Sequence, residues 1–101
     1  MTTRATVDRI HWDLMMPAVH MNGTSGPQLM EQLEEVERHL SAAFGALKRA
    51  APNGRDYYVL PERDRRPALE VAEIVHTRRL DVVYALMSEL SDEMAHIADQ
   101  M

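Results

Sequence analysis

Apolar residues recur at helical spacing in two long segments of the chain, and this periodicity predicts an all-α protein. They follow steps of four and three residues from Leu29 to Ala50 and again, with one extra step of four, from Leu69 to Met101. We predict a first helix over about residues 26–51, a loop over 52–65 and a second helix over about 66–100. Two long helices joined by a connection of this length form an antiparallel hairpin.

The predicted contact between the helices uses one apolar row from each. The row of the first helix is Leu29, Leu33, Val36, Leu40, Ala43, Leu47 and Ala50, widened by Phe44. The row of the second helix is Leu69, Ala72, His76, Leu80, Val83, Met87, Leu90, Met94, Ile97 and Met101. Because His76 lies within this row, we interpret it as a core histidine.

Polar, proline and glycine residues mark the predicted helix ends. Ser25 can cap the first helix, with Gln28 three residues later as in a capping box. The segment Ala51–Gly54 ends that helix, and we expect Gly54 to make a tight turn with a positive φ. The second helix is predicted to start in the segment Asp64–Pro67. Residues 1–23 precede the hairpin, residues 24–101, as an N-terminal arm.

The second helix carries another apolar row, which an isolated hairpin leaves in water. This second apolar row is Val71, Ile74, Val75, Val82, Ala85 and Leu86, interrupted by Arg78 and Arg79. Exposed apolar stripes of this size usually mark an interface, and the arm has too few apolar residues to cover it. We therefore predict that the hairpin assembles as a homo-oligomeric bundle.

Charge is unevenly distributed over the 101 residues. The net charge is −5, yet residues 48–79 carry eight bases and five acids while the rest carry three bases and eleven acids. A positive middle on an acidic chain favours a compact anion over duplex nucleic acid. The sequence has no cysteine, no apolar run near the roughly 18 residues of a membrane span and no apolar leader at its start. We expect a cytoplasmic protein without membrane contacts.

Catalytic and cofactor motifs are missing from the sequence. It has no P-loop, GxSxG, HExxH or GxGxxG pattern, and no two of its five histidines stand four residues apart. We therefore predict no enzymatic activity, no cofactor and no metal. A hydrolase that pairs His20 with Asp56 across a subunit interface is the alternative.

Two polar loops are the candidate ligand-binding segments. The candidate residues are His20, Asn22 and Thr24 in the first loop and Asn53, Arg55, Asp56, Tyr57 and Tyr58 in the second. Arginine can pair with phosphate and a tyrosine ring can stack on a base. The alternative is that the first loop only caps a helix and that the tyrosines form a small core, which suits Tyr58 better than Tyr57. Since the loops lie at opposite ends of one hairpin, a shared pocket requires two subunits.

The motifs His20-x-Asn22-Gly23-Thr24-Ser25 and Ala51-Pro-Asn-Gly-Arg-Asp-Tyr-Tyr58 resemble those of a family of short bacteriophage and prophage proteins, over about residues 10–100. In size and helical organisation the chain is also similar to phage anti-defence sponges. This resemblance implies a protein of the infected bacterial cell that sequesters a small cyclic nucleotide immune signal between subunits without cleaving it. The alternative is a coiled-coil-like phage assembly protein or adaptor that binds a protein partner.

Overall fold

The structure, a computed structural model, describes residues 16–19 and 23–101. Within these residues it is all-helical and has no strand: helix α1 spans Gly26–Arg49, a short 3₁₀ helix spans Gly54–Tyr57, and helix α2 spans Glu62–Ala98. The predicted helical hairpin is confirmed. The expectations for His20, Asn22 and most of the N-terminal arm concern residues outside the described part of the chain.

Contacts along the hairpin show that α1 and α2 run antiparallel. At one end, a Cβ atom added to Gly26 would lie 2.8 Å from Cγ of Met101. Midway, the rings of Phe44 and Tyr84 are 6.3 Å apart between centroids. At the other end, a Cβ atom on Gly54 would lie 3.8 Å from Cδ2 of Leu69. We call the end at Gly54 the loop end (residues 50–61) and the opposite one the terminal end.

Helix α1 begins at the predicted capping box. The Ser25 hydroxyl accepts a hydrogen bond from the Gln28 N–H (3.3 Å), and the Gln28 side-chain oxygen accepts one from the Ser25 N–H (3.3 Å). These reciprocal bonds satisfy two backbone donors that a helix start otherwise leaves free. The last turn carries Lys48 and Arg49, whose positive charge stabilises the negative end of the helix dipole.

Helix α2 begins at Glu62, four residues before the predicted start, so Pro67 lies at its sixth residue and not at its second. Proline inside a helix removes one backbone hydrogen bond, here the bond that would reach back to Arg63 in an exposed first turn. Glu62 and Asp64 in that turn stabilise the positive end of the helix dipole. The predicted helix start next to Pro67 was wrong. The proline can lie farther inside the helix because the carbonyl of Arg63, which it leaves without a backbone donor, lies in an exposed turn and can bond to water.

The interface between the helices matches the predicted row on α2 but is rotated on α1. The predicted α2 residues are half-buried or buried, His76 among them, except Met101, which is 65% exposed. On α1, Val36 and Ala43 are exposed, whereas Glu37 and Phe44 are half-buried. Phe44 is the largest apolar side chain of α1. Because its ring packs against Tyr84 of α2, α1 presents to α2 the side that carries Phe44 and not the side that carries Ala43.

The hairpin is one helix layer thick. Its dimensions are 65 × 33 × 16 Å, and its radius of gyration is 19.5 Å, against about 13 Å for a compact domain of 100 residues. Ile97 is the only fully buried apolar side chain of the described residues. The described residues of one chain therefore form a seam between two helices and no closed hydrophobic core.

Gly54 does not use the positive φ expected of it, because no described glycine has a positive φ. It is the first residue of the 3₁₀ helix. A Cβ atom added to it would make ordinary van der Waals contact with Leu69. The turn is made instead by the Asn53 side chain, whose oxygen accepts a hydrogen bond from the Arg55 N–H (3.0 Å).

We predict that Gly54→Ala stabilises the protein. Alanine fits the negative φ and the available space, and it restricts the unfolded chain, which stabilises by about 0.4–1 kcal/mol. For a domain of this size the melting temperature should rise by roughly 2–8 °C. A fall in the melting temperature, measured by circular dichroism, would contradict this backbone conformation.

Candidate functional site

The two predicted ligand loops lie at opposite ends of the hairpin. Thr24 precedes α1 at the terminal end, and Asn53 follows it at the loop end. Since α1 has 24 residues, the two loops are roughly 36 Å apart along the helix. One chain therefore cannot bring Thr24 and the segment Asn53–Tyr58 to the same small ligand.

Local hydrogen bonds shape the loop end. Asn53 is extended (φ −121°, ψ 133°), and its carbonyl accepts the Asp56 N–H at 3.0 Å while its side chain caps Arg55. The Leu60 N–H donates to the Tyr57 carbonyl at 3.1 Å. The Asn53 side-chain oxygen is thus committed to the turn, and its amide N–H₂ group is the part that can contact a ligand.

An arginine is held over an exposed tyrosine at this end. Tyr58 is 63% exposed, and the guanidinium carbon of Arg65 lies 5.9 Å from its ring centroid. Nε of Arg65 donates to the Leu60 carbonyl at 3.0 Å, which holds the side chain across the loop. A guanidinium at this distance from a ring is within the range of a cation–π interaction.

The burial of the tyrosine pair is the reverse of the expected one. Tyr57 is half-buried, so it contributes to packing at the loop end, whereas Tyr58 faces solvent. Val59 next to it is 93% exposed. The tyrosine face that can stack on a ligand is therefore that of Tyr58.

Sequence reasoning missed Arg65 as a candidate site residue. Its signal was the run of arginines Arg63, Arg65 and Arg66, but spacing alone does not tell which of them turns toward Tyr58. Arg66 instead forms an ion pair with Glu70 (3.1 Å), one helical turn along α2. The bond from Arg65 to Leu60 depends on α2 starting at Glu62, which the predicted start near residue 66 did not include.

The charge at the loop end is positive. Residues 48–67 carry six bases and three acids. Arg55 and Asp56 are both exposed, and neither takes part in an ion pair with another described residue. The loop end thus combines an exposed aromatic ring, two arginines (Arg55 and Arg65) and an amide donor, which suits a small planar anion.

At the terminal end, Gln100 ties residues 17–19 to α2. Its side-chain oxygen accepts the Val19 N–H (2.8 Å), and its Nε2 donates to the Pro17 carbonyl (3.2 Å). A pocket of about 580 Å³ next to these bonds is lined by Val19, Ser25 and Gln100, among others. Thr24 is exposed, and its side chain makes no hydrogen bond to another described residue.

The described residues offer no site for a metal ion, because they contain no group of three or more histidine, aspartate or glutamate side chains that could hold one. Neither described helix has a stretch apolar enough to cross a membrane. Comparisons with protein-family models, curated proteins and solved structures find no match to the chain.

We predict that the side-chain oxygen of Asn53 stabilises the protein as a cap, and that two substitutions of Asn53 show this. Asn53→Ala removes the cap and should cost about 1 kcal/mol of stability. Asn53→Asp keeps an acceptor for the Arg55 N–H and should stay within about 0.5 kcal/mol of the wild type. Urea unfolding of both variants measures the difference; equal destabilisation would show that the cap is not what Asn53 contributes.

Proposed function

We propose that this protein is a non-enzymatic sponge that binds a small nucleotide signal, in line with its resemblance to phage proteins. The observation that carries the proposal is the loop end, where Arg65 is held 5.9 Å from the exposed ring of Tyr58. A nucleotide offers the complementary groups, a planar base and phosphates. The positive charge of residues 48–67 supports an anionic ligand.

In this proposal Arg65 positions the Tyr58 ring and adds positive charge beside it, and the other residues of the site have the following roles. Tyr58 stacks on the base, Arg55 pairs with phosphate, and the Asn53 amide donates a hydrogen bond. Asp56 contacts a ribose or base donor, and Tyr57 supports the turn from its half-buried position. His20, Asn22 and Thr24 come from a second subunit, because the two loops of one chain are too far apart.

Sequestration without cleavage is the proposed mode of action. None of the roles above is that of a nucleophile or a general base, and the ligand leaves the site unchanged. Such a protein acts by lowering the free concentration of a signal in the infected bacterial cell, so the ligand's affinity and the number of sites determine its effect.

An assembly or adaptor function is the second candidate, favoured by the second apolar row. Val71 and Ile74 of this row are 61% and 69% exposed, and apolar surface of this kind suits a protein interface. An adaptor would depend on a protein partner and be indifferent to nucleotides.

A thermal-shift screen against cyclic dinucleotides, cyclic trinucleotides, cyclic ADP-ribose isomers and linear nucleotides tests the sponge. A ligand at 100 times its dissociation constant stabilises by about 2.7 kcal/mol, so the melting temperature should rise by roughly 10 °C or more. Mass spectrometry should recover the ligand intact. No shift with any nucleotide would favour the adaptor, and a cleaved ligand would reveal an enzyme.

Arg55→Ala should abolish most of that shift, because it removes the phosphate contact, and should leave the ligand-free melting temperature unchanged. Arg38→Ala is the matched control, since Arg38 is an exposed arginine in the middle of α1, away from the loop end. If the ligand raises the melting temperature of Arg55→Ala as much as that of the wild type, Arg55 is not part of the site.

A further inference from the structure

The face of α2 that turns away from α1 is apolar along much of its length. In the second apolar row, Val82 is 57% and Leu86 43% exposed, and Ala85 is exposed with them. The row spans residues 71–86, roughly 22 Å of helix. Among the described residues, apolar side chains exposed in a continuous row of this length mark an interaction surface.

Two opposite charges lie in the middle of this face. Arg78 and Asp81 are both exposed, and neither forms an ion pair with another described residue. They line a shallow groove of about 620 Å³ together with Ile74, Thr77, Glu70 and Glu73. Charged residues at the centre of an apolar helix face commonly fix the register and orientation of its partner.

We propose that this face binds the same face of a second copy of the chain, with the two α2 helices antiparallel about a two-fold axis between residues 79 and 80. In an antiparallel pair, two residues lie at the same height when their numbers add up to the same value as the two residues that flank the axis, here 79 and 80. With the axis at this point, Arg78 lies level with Asp81 of the partner subunit, and Asp81 lies level with Arg78 of the partner subunit.

Complementarity between Arg78 and Asp81 favours this register over those that set either residue against its own copy. An axis through residue 78 would place Arg78 against its own copy, and an axis through residue 81 would do the same with Asp81. A parallel pair would also set identical charges level. The selected register further places Ile74 level with Ala85 of the partner subunit, so that apolar residues flank the charge pairs on both sides.

This interface is independent of nucleotide binding, and it sets the two loops of the proposed site at the same end of the dimer. Glu62, the first residue of α2, lies level with Ile97 of the partner subunit. Gly26 contacts Met101, only four residues or roughly 6 Å farther along the axis. The loop end of one subunit therefore lies at the same height along the helices as the terminal end of the other, where Thr24 precedes α1.

Complementary charge variants test the interface without any ligand. Arg78→Glu sets glutamate against aspartate in its own dimer, and Asp81→Arg sets arginine against arginine. Each should raise the dimer dissociation constant at least roughly 30-fold. In an equimolar mixture of the two variants, each chain meets opposite charges, so the heterodimer should form. Contacts within one chain cannot produce this rescue.

Analytical ultracentrifugation measures the outcome. The wild type and the mixture should sediment with twice the 11.5 kDa chain mass, and each variant alone with the chain mass. Arg38→Glu makes the same charge change at an exposed position of α1, away from this face, and should dimerise as the wild type does. If a variant alone unfolds and loses its helical circular dichroism signal, mixing it with the other variant must restore that signal.

Three results would overturn the interface. A monomeric wild type would mean that the chain's own residues or another protein cover the face. Wild-type association of Arg78→Glu and Asp81→Arg alone would show that their charges do not meet across it. A mixture that stays monomeric would exclude the proposed register.

Discussion

The structure depends on a single apolar seam between two helices. Two helices can enclose only the residues that face each other, and in this hairpin only Ile97 is completely shielded from water. The contact of Phe44 with Tyr84 and of Gly26 with Met101 keeps the helices in register, but neither creates an interior. Folding must offset a conformational entropy of about 1–2 kcal/mol per residue, and burial along this seam offsets part of it. A second layer of helices would supply the missing burial.

The ends of the hairpin have a different physical basis from the seam. The loop end is held by short-range hydrogen bonds, from the Asn53 cap to the bond between Arg65 and the Leu60 carbonyl. These bonds leave the Tyr58 ring and the Arg55 side chain in solvent, whereas Tyr57 is half-buried at the same end. A rigid loop with exposed polar and aromatic side chains binds a ligand at a lower entropic cost than a flexible one. The seam provides stability, and the loop end provides the chemistry.

Much of the fold could be predicted from the sequence because long helices are encoded locally. The period of the apolar row on α2 and the Ser25–Gln28 capping box depend only on near neighbours, and both are confirmed. The rotation of α1 toward Phe44 could not be predicted, because it depends on where Tyr84 stands on the other helix. The same limit applies to the site: Asn53 and Arg55 could be named from the turn motif, whereas Arg65 joins them only through the early start of α2.

We propose that one hairpin is not a stable unit and that its exposed α2 face pairs with a second copy. The most direct measurement is the melting temperature of the wild-type chain, without ligand, as a function of protein concentration. For a dimer that unfolds to separate chains, an increase from about 1 µM to about 100 µM should raise the melting temperature by roughly 6 °C. A melting temperature that does not change with concentration would contradict the claim and show that the single chain is stable alone.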